Sequence, residues 1–328
     1  MMPDQFAKAN VIVGRAGEGP YRRSWWVIPA IVLVAAFFGL IAVLSTLFVC
    51  GRDRVGFLGV HSVAVLSTLT KGAAGPSVAL GIVAVEGGVY VVDTTNARVL
   101  KFRLTGEPVL FWTVSGDGRT SLEKPVDIAL DAKGLVYVLD AGSGYVSRFD
   151  AQGTPRGRLL GPGTGVFSPQ GLAVDGVGNV FVADTGTSRL VRIEASGKVV
   201  SIGRKGRDRD GFWEPIGIRI DESGWLYVAD SGNGRIKKLD ISGHTVAVWR
   251  LPGDPAYVAL GDHGRIFATS PFSGCVFAVS TVDGVVAMVG GGPTERVVFG
   301  QPLGVDVREG RLYVTEGGEV RVYEPGSR

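Results

Sequence analysis

Four aspartates recur at nearly equal intervals and are the first candidates for chemistry. They are Asp93, Asp140, Asp184 and Asp230. A ring of carboxylates could bind a hard cation or transfer protons. However, each aspartate ends the same type of short apolar segment, so we interpret it as a structural residue that caps the following turn by accepting a backbone N–H. The arginines at matching offsets are expected to pair locally or face solvent. They are Arg98, Arg189 and Arg235.

Other residues that could support catalysis or metal binding are few and scattered. The histidines His61, His244 and His263 fall in different repeats, whereas zinc requires three or four ligands at about 2.0–2.3 Å. The chain has no Gly-x-Ser-x-Gly nucleophile elbow and no phosphate-binding loop. The two cysteines, Cys50 and Cys275, are interpreted as separate thiols, buried or facing lipid. The sequence therefore predicts no catalytic residue, no metal site and no cofactor.

A short basic stretch is the main candidate for a contact with another molecule. Its cations are Arg204, Lys205, Arg207 and Arg209, and Asp208 and Asp210 interrupt them. It is either a solvated loop or a contact with anionic lipid headgroups or an acidic partner. Of the 34 basic and 31 acidic residues in the chain, six and three precede residue 60, so the remainder is electrically neutral. This balance argues against a nucleic-acid partner.

These residues are carried by a repeat with a period of 40–47 residues. The six copies of its central segment end at Asp93, Asp140, Asp184, Asp230, Ser270 and Glu316. A proline precedes each copy by 14–17 residues, and turns with Asp and Gly separate short alternating strands. Glycine accounts for 50 of 328 residues, and 45% of the residues are hydrophobic, which excludes a disordered chain. A period of this length with short strands is typical of a β-propeller.

The two ends of the repeat region complement each other. The sixth copy stops after its third strand, and residues 60–66 have the pattern of a fourth strand, similar to residues 243–249. We therefore predict an all-β, six-bladed propeller over residues 60–328, with four-stranded antiparallel blades and a ring closed by the N-terminal strand. Closure removes the unpaired edges that promote aggregation.

The repeat resembles the NHL repeat. The best copies are residues 169–193 and 215–239, with the pattern Pro-x-Gly-[Leu/Ile]-x-[Val/Ile]-Asp followed by Val-[Phe/Tyr]-Val-Ala-Asp-[Thr/Ser]-Gly-x-x-Arg. The resemblance covers about 250 residues and implies the fold. It does not select a function, because NHL propellers include RNA-binding modules, sensor domains of membrane kinases, adhesion modules and a peptide-amidating lyase.

The resemblance also indicates where a central site would lie. The lyases build a metal site from histidines near the axis, and six-bladed lactonases hold calcium there with acids and amides. The acid at the corresponding inner position here is Asp127, where the other copies have Gly171, Gly217, Tyr257 and Gly304. One carboxylate cannot supply the six to eight oxygens that calcium requires. Asp127 is therefore interpreted as a loop-capping residue.

An uncharged segment precedes the repeats. Residues 25–50 contain no charged side chain, and as a helix they would extend about 39 Å, enough to cross a bilayer. A cleaved signal peptide is the alternative, but the run is longer than usual and no Ala-x-Ala follows. Four basic residues upstream against two downstream predict a cytoplasmic N-terminus. The predicted order is a cytoplasmic tail over 1–24, a transmembrane helix over 25–50, a linker over 51–59 and an extracytoplasmic propeller.

The predicted function is binding rather than catalysis. Ala35, Gly39 and Ala42 would form a small-residue face that admits a neighbouring helix. We expect a single-pass accessory or stabilising subunit of a larger membrane protein complex, in contact with other membrane proteins through this helix and one propeller face. Two alternatives stay open: a membrane-tethered hydrolase or lyase with its site in the central pocket, and an adhesion or sensor ectodomain.

Overall fold

The computed structural model describes residues 56–58, 60–68, 78–289 and 299–325 of the chain. Within these ranges the protein is all β, with six sheets and three single-turn 3-10 helices at Thr185–Thr187, Ser231–Asn233 and Asp262–Gly264. Each sheet contains four consecutive antiparallel strands, except that the sixth is completed from upstream and the fifth gains an additional strand. The predicted six-bladed propeller is confirmed.

Blades 1 to 3 follow one plan, in which successive strands run from the axis outward. Blade 1 contains β3 (Ala79–Val85), β4 (Gly88–Asp93), β5 (Arg98–Arg103) and β6 (Pro108–Trp112). Blade 2 contains β7 (Pro125–Leu130), β8 (Val136–Asp140), β9 (Tyr145–Phe149) and β10 (Pro155–Leu159). Blade 3 contains β11 (Gly171–Val174), β12 (Val180–Asp184), β13 (Arg189–Ile193) and β14 (Val199–Ile202).

Blades 4 to 6 repeat the plan, and the N-terminal strands join the last two of them. Blade 4 contains β15 (Pro215–Ile220), β16 (Leu226–Asp230), β17 (Arg235–Leu239) and β18 (Thr245–Arg250). Blade 5 contains β19 (Val258–Gly261), β20 (Arg265–Ser270), β21 (Cys275–Ser280), β22 (Val286–Val289) and the additional strand β1 (Gly56–Leu58). Blade 6 contains β23 (Pro302–Arg308), β24 (Arg311–Glu316), β25 (Glu319–Pro325) and β2 (Val60–Thr68).

Short turns connect the first strand of a blade to the second and the third strand to the fourth, and several of them have an aspartate at the first position. In blade 3, Asp175 Oδ1 accepts the N–H groups of Val177 and Asn179 at 3.0 and 2.8 Å. Gly178 has a φ of 90°, a conformation that favours glycine. These turns lie on one face of the ring, here called the lower face. The loops from one blade to the next lie on the opposite face, called the upper face.

The hydrophobic core is divided into six wedges, each between two neighbouring blades. Between blades 3 and 4, for example, Phe181, Leu190 and Phe212 pack against Ile218 and Leu239, all fully buried. Burial of each large apolar side chain contributes about 1.5–3 kcal/mol. Because every blade supplies both of its faces to such wedges, no blade has an independent core, and stability depends on the complete ring.

The first strands of neighbouring blades contact each other around the axis. They approach so closely that a Cβ at Gly171 would lie 1.9 Å from the Ile216 carbonyl oxygen, and one at Gly304 would lie 1.9 Å from that of Leu80. These glycines are therefore required by the convergence of the strands. The corresponding positions in blades 2 and 5 hold Asp127 and Tyr257.

The N-terminal strand closes the ring as predicted. β2 pairs antiparallel with β25, from Val60 opposite Pro325 to Thr68 opposite Glu319. The sequence analysis did not predict β1, which falls within the expected linker 51–59. It pairs in parallel with β22, with Phe57 opposite Met288. The N-terminal segment therefore joins the outer edges of two adjacent blades.

The predicted tail over 1–24 and transmembrane helix over 25–50 lie outside the described residues. Within the described residues, no helix has the length and apolar character needed to span a bilayer.

Removal of the closing strand should destabilise the whole ring. We expect deletion of residues 60–68 to lower the melting temperature by about 10 °C or more, since about 1 kcal/mol moves the midpoint of a large domain by about 2–4 °C and an entire strand ladder is lost. Circular dichroism during heating measures this change. The control is a chain that begins at residue 56 and keeps both N-terminal strands. Equal melting temperatures for the two chains would contradict closure by β2.

Candidate functional site

Carboxylates at the ends of the second strands bind the loops on the upper face. In blade 2, Asp140 accepts the N–H groups of Glu123 and Lys124, in the loop before the blade, at 2.9 and 2.7 Å. It also accepts the N–H of Gly142 at 3.1 Å, as the capping interpretation predicted. The principal contact is with the preceding loop, which the sequence analysis did not predict.

The next two blades depart further from the predicted capping. The Asp184 carboxylate accepts the N–H of Phe167 at 2.9 Å, and that of Asp230 accepts the N–H of Trp213 at 2.7 Å. Neither carboxylate caps the following turn through a backbone N–H. Instead, the contact with that turn in blade 3 comes from the Thr187 hydroxyl at 2.5 Å. In both blades the carboxylate accepts an N–H of the incoming loop instead.

The local arginine partners are confirmed. Each Nε lies on the carboxylate five residues earlier, and each pair is at least partly buried. The distances are 2.8 Å for Arg98 and Asp93, 2.9 Å for Arg189 and Asp184, and 2.7 Å for Arg235 and Asp230. The repeated acids and arginines therefore form structural ion pairs within the blades. They do not form a binding or catalytic site.

The axis of the ring holds a separate group of ionisable side chains, here called the axial cluster. It consists of Asp127, Arg219, Tyr257 and Asp306. Asp127 lies in the inner strand β7 and is fully buried. Its Oδ2 accepts the N–H of Leu172 in blade 3 at 2.8 Å. The loop-capping interpretation of Asp127 is thus wrong: the residue joins two inner strands, because the ring places β11 against β7.

Tyr257 crosses the axis. It precedes β19 in blade 5, and its hydroxyl donates to the Val126 carbonyl of the opposite blade 2 at 3.3 Å. Burial and the Asp127 carboxylate raise the pKa of Tyr257 well above its ordinary value, so the hydroxyl keeps the proton that it donates. The ring of Tyr257 therefore occupies the centre of the channel at this level.

Arg219 makes a second contact across the axis. From blade 4 its Nη2 donates to the Ile82 carbonyl of the opposite blade 1 at 3.4 Å, and its Nη1 lies 3.6 Å from Asp127 Oδ2. In blade 6, Asp306 Oδ2 accepts the N–H of Ala84 at 2.7 Å. Contacts from the axial cluster thus join blades 1, 2, 3, 4, 5 and 6 around one point.

Burial controls the charge of this cluster. Desolvation raises the pKa of Asp127 to about 6, although Arg219 opposes the shift. Desolvation also raises the pKa of Asp306, again against the attraction of Arg219. Two carboxylates with raised pKa values around one guanidinium could in principle exchange protons. However, Asp127, Arg219 and Tyr257 form their hydrogen bonds with the backbone of other blades. The cluster therefore serves mainly to close the central channel.

Potential metal ligands are scattered over the described part of the chain. There, no three His, Cys, Asp or Glu side chains are grouped closely enough to coordinate an ion. His263 lies in a lower-face turn, and His244 follows another turn between strands. Cys275 is buried in blade 5, as expected, and Cys50 lies outside the described residues.

On the upper face, the predicted basic stretch forms a loop between blades 3 and 4 whose backbone is held by hydrogen bonds from buried side chains. The buried Lys237 ammonium donates to the carbonyls of Asp210 and Gly211 at 3.1 Å, and burial lowers its pKa to about 8. Arg235 donates to the Asp208 and Gly211 carbonyls. Asn233 donates to a further loop carbonyl. The four cations of the loop are exposed, as the interpretation of a solvated loop predicted, while its backbone carbonyls are held by side chains of blade 4.

The four cations of this loop differ in their surroundings. Arg204 pairs with Asp208 at 2.9 Å, and this hydrogen bond lowers the pKa of Asp208 to about 2. Arg209 donates to carbonyls of the outer strand β18. Lys205 and Arg207 instead each lie 4.5 Å from the centre of the Trp213 ring. Of the four cations, Lys205 and Arg207 are thus the two that pack against an aromatic side chain.

A surface cleft lies beside the equivalent loop between blades 2 and 3. Its volume is about 430 Å³, within the range of ligand sites. The lining includes Lys124, Ser143, Pro162, Val166, Phe167 and Pro169. Phe167 is 67% exposed. Within the described residues, the buried Ser143 hydroxyl has no hydrogen-bond partner.

Several residues of the axial cluster were not predicted from the sequence, and for one reason. Arg219 and Asp306 stand two positions after the inner glycine, where the other repeats have small or apolar residues. Tyr257 replaces that glycine. Departure from the repeat was thus the available signal, and it was applied only to Asp127. The predicted helix contacts Ala35, Gly39 and Ala42 lie outside the described residues.

Comparison with protein families supports the repeat assignment. The family model of the NHL repeat matches residues 212–239, a segment that contains β15, β16 and β17. The resemblance to NHL propellers is therefore confirmed, although the match covers one repeat. A search of curated proteins finds no significant match.

Solved structures share the fold at low sequence identity. Virginiamycin B lyase from Staphylococcus aureus is 12% identical, with a TM-score of 0.59, covering 81% of this chain and 98% of the lyase. A gluconolactonase from Xanthomonas campestris is 17% identical, with a TM-score of 0.59, over 80% and 89% of the two chains. A chain of a nidogen–laminin complex is 16% identical, with a TM-score of 0.52, over 74% and 86%. These similarities show the propeller fold alone.

The buried Asp127 predicts a measurable pH dependence. Its pKa is raised in the folded state, so its contribution to stability is present below the unfolded value of 3.8 and is lost as the pH rises through about 6. Between pH 4 and pH 7 a pKa shift of this size corresponds to roughly 2 kcal/mol of unfolding free energy. We expect Asp127→Asn to remove that component from the free energy of unfolding, measured by urea denaturation across this range.

The control for this measurement is Asp240→Asn. Hydrogen bonds, first from Ser242, lower the pKa of Asp240, so its stabilisation is lost as the pH falls and its removal should change the pH dependence in the opposite direction. The same pH dependence in wild type and Asp127→Asn would show that folding does not raise the pKa of Asp127.

Proposed function

We propose that this protein is a membrane-anchored binding subunit. In this proposal the uncharged segment 25–50 is a transmembrane helix, the propeller lies outside the cytoplasm, and the protein stabilises a larger membrane protein complex. The support is the apolar run with its flanking charges, together with a fold that offers two broad faces and a rim for contacts.

The occupied axis is the observation that carries the choice of binding over catalysis. An enzyme with its site in the central pocket requires space there for substrate. At the level of the inner glycines, Tyr257 and Arg219 cross the channel and bond to the backbone of opposite blades. Opening this level would leave buried polar groups without partners, which costs about 1–3 kcal/mol for each group. The upper face, in contrast, presents ordered loops.

A hydrolase or lyase is the second candidate, favoured by one specific observation. Asp127 and Asp306 both have raised pKa values and flank Arg219, a combination found at catalytic sites as well as in structural networks. Solved propellers of similar fold include a lyase and a gluconolactonase. Metal analysis of the purified ectodomain separates the two candidates, because a stoichiometric metal would favour the enzyme. An adhesion or sensor ectodomain is a third candidate.

The proposed helix contact can be tested by substitution of one small residue. We expect Gly39→Leu to reduce the membrane protein that co-purifies in mild detergent by about tenfold, because a large side chain prevents close helix approach. The ectodomain should keep its melting temperature. Ile41→Leu, about 200° around the predicted helix, is the control. Unchanged co-purification in Gly39→Leu would leave the helix as a passive anchor.

The proposed topology can be tested by labelling with a membrane-impermeant maleimide. Ser196 is exposed in a lower-face turn, so Ser196→Cys should be labelled in intact cells if the propeller is extracytoplasmic. Ala7→Cys, in the predicted cytoplasmic tail, should be labelled only after lysis. The reverse pattern would overturn the topology. The buried Cys275 contributes little background.

A further inference from the structure

We propose that the upper face over blades 3 and 4 binds an acidic segment of a partner protein that also carries an apolar side chain. The surface consists of Phe167, Lys205, Arg207 and Trp213, here called the aromatic–basic surface. The inference rests on the binding function proposed above and specifies the chemistry of its partner.

The basic half of this surface is built around one indole ring. Lys205 and Arg207 approach the Trp213 ring, each at 4.5 Å from its centre, and the indole stabilises both cations without neutralising them. Arg204 is already paired with Asp208, and Arg209 is used within the ring. Lys205 and Arg207 are therefore the cations of this loop that an acidic partner could engage.

The loop is ordered before any partner binds. The Gly206 N–H donates to the Phe212 carbonyl, and the Phe212 N–H donates to the Arg204 carbonyl, both at 2.8 Å across the loop. The buried Arg235 and Lys237 fix its carbonyls from below. A preorganised loop loses little conformational entropy on binding, so two ion pairs can contribute to affinity and not only to the rate of association.

The apolar half lies one blade away. Phe167 occupies the same place in its loop as Trp213, since each lies two residues before a proline, Pro169 or Pro215, and Phe167 is 67% exposed. It borders the cleft of about 430 Å³ with Val166 and Pro169. An exposed aromatic beside a cleft is the arrangement in which an apolar anchor of a partner is buried.

The two halves are connected through one turn. Phe167 O accepts the N–H of Gly186 at 3.0 Å, and Ser188 Oγ accepts the N–H of Glu214 at 3.2 Å. Both loops are thus fixed to the turn between β12 and β13. The loop that carries Phe167 and the loop that carries Trp213 are therefore held at fixed positions next to the same turn.

The charge pattern favours a protein segment over a lipid surface. The repeat region as a whole is neutral, and the loop itself contains Asp208, Asp210 and Glu214 among its cations. A membrane surface attracts extended polybasic segments through many weak contacts, whereas this loop offers two placed cations. Such an arrangement selects a matching pair of carboxylates.

Synthetic peptides test the surface directly. The full chain, held in a phosphatidylcholine nanodisc, is titrated with a fluorescent peptide in which Glu alternates with Leu and Phe. We expect this peptide to bind in a salt-sensitive manner. A peptide with Gln in place of Glu, which lacks the carboxylates, should bind about tenfold more weakly. A polyglutamate peptide, which lacks the apolar side chains, should also bind about tenfold more weakly. Lys205→Glu with Arg207→Glu should weaken binding of the first peptide by about tenfold or more.

The control applies the same charge change to the lower face, with Lys133→Glu and Lys198→Glu, both at exposed turn positions. This variant should bind as wild type does. Failure of the wild-type chain to bind the Glu-Leu-Phe peptide, or equal binding by the Lys205 and Arg207 variant, would overturn the inference. Binding to phosphatidylglycerol vesicles in place of the peptide would reassign the surface to lipid.

Co-purification separates this inference from the proposed function. If the Lys205 and Arg207 variant retains a membrane partner that Gly39→Leu loses, the binding function stands and the surface assignment fails. If neither wild type nor variants retain a partner while the peptide still binds to wild type, the surface stands and the role as a complex subunit fails.

Discussion

Convergence of six inner strands on one axis is the constraint on which the structure depends. Strands at this spacing leave no room for a side chain at Gly171 or Gly304. The two exceptions, Asp127 and Tyr257, lie in opposite blades and direct their polar atoms at neighbouring or opposite backbone. The same convergence that requires glycine elsewhere therefore removes these groups from water, raises their pKa values and closes the channel at this level.

The fold was predictable because it repeats. Six copies of one pattern gave the number of blades, and the similarity of residues 60–66 to another fourth strand gave the closure. The axial cluster was harder to predict from the sequence, since Tyr257 and Val126 become neighbours only when the ring has formed. β1 was missed for a related reason: three residues carry no periodicity, and their partner strand lies far along the chain. Local patterns predict the blades, whereas the contacts across the ring arise from closure.

The upper and lower faces follow from different physical requirements. Several turns of the lower face are closed by an aspartate that accepts two backbone N–H groups, which leaves these turns little freedom to vary. The loops of the upper face are held by carboxylates at the ends of the second strands, and this attachment allows their outer residues to differ from blade to blade. Glu123, Phe167 and Trp213 occupy corresponding positions with unrelated side chains. The side chains that differ from blade to blade are thus concentrated on the upper face, where carboxylates hold the backbone of the loops.

The pairing of β2 with β25 also has a consequence for the order of synthesis. β2 leaves the ribosome before every other strand of its blade, yet Thr68 must wait for Glu319 to acquire its partner. Until then five blades can assemble around a gap, with one strand unpaired at the beginning of the ring. A chain interrupted before residue 319 would keep that strand exposed and could be recognised by proteases. Synthesis of β25 is therefore a condition for the stability of a strand made about 250 residues earlier.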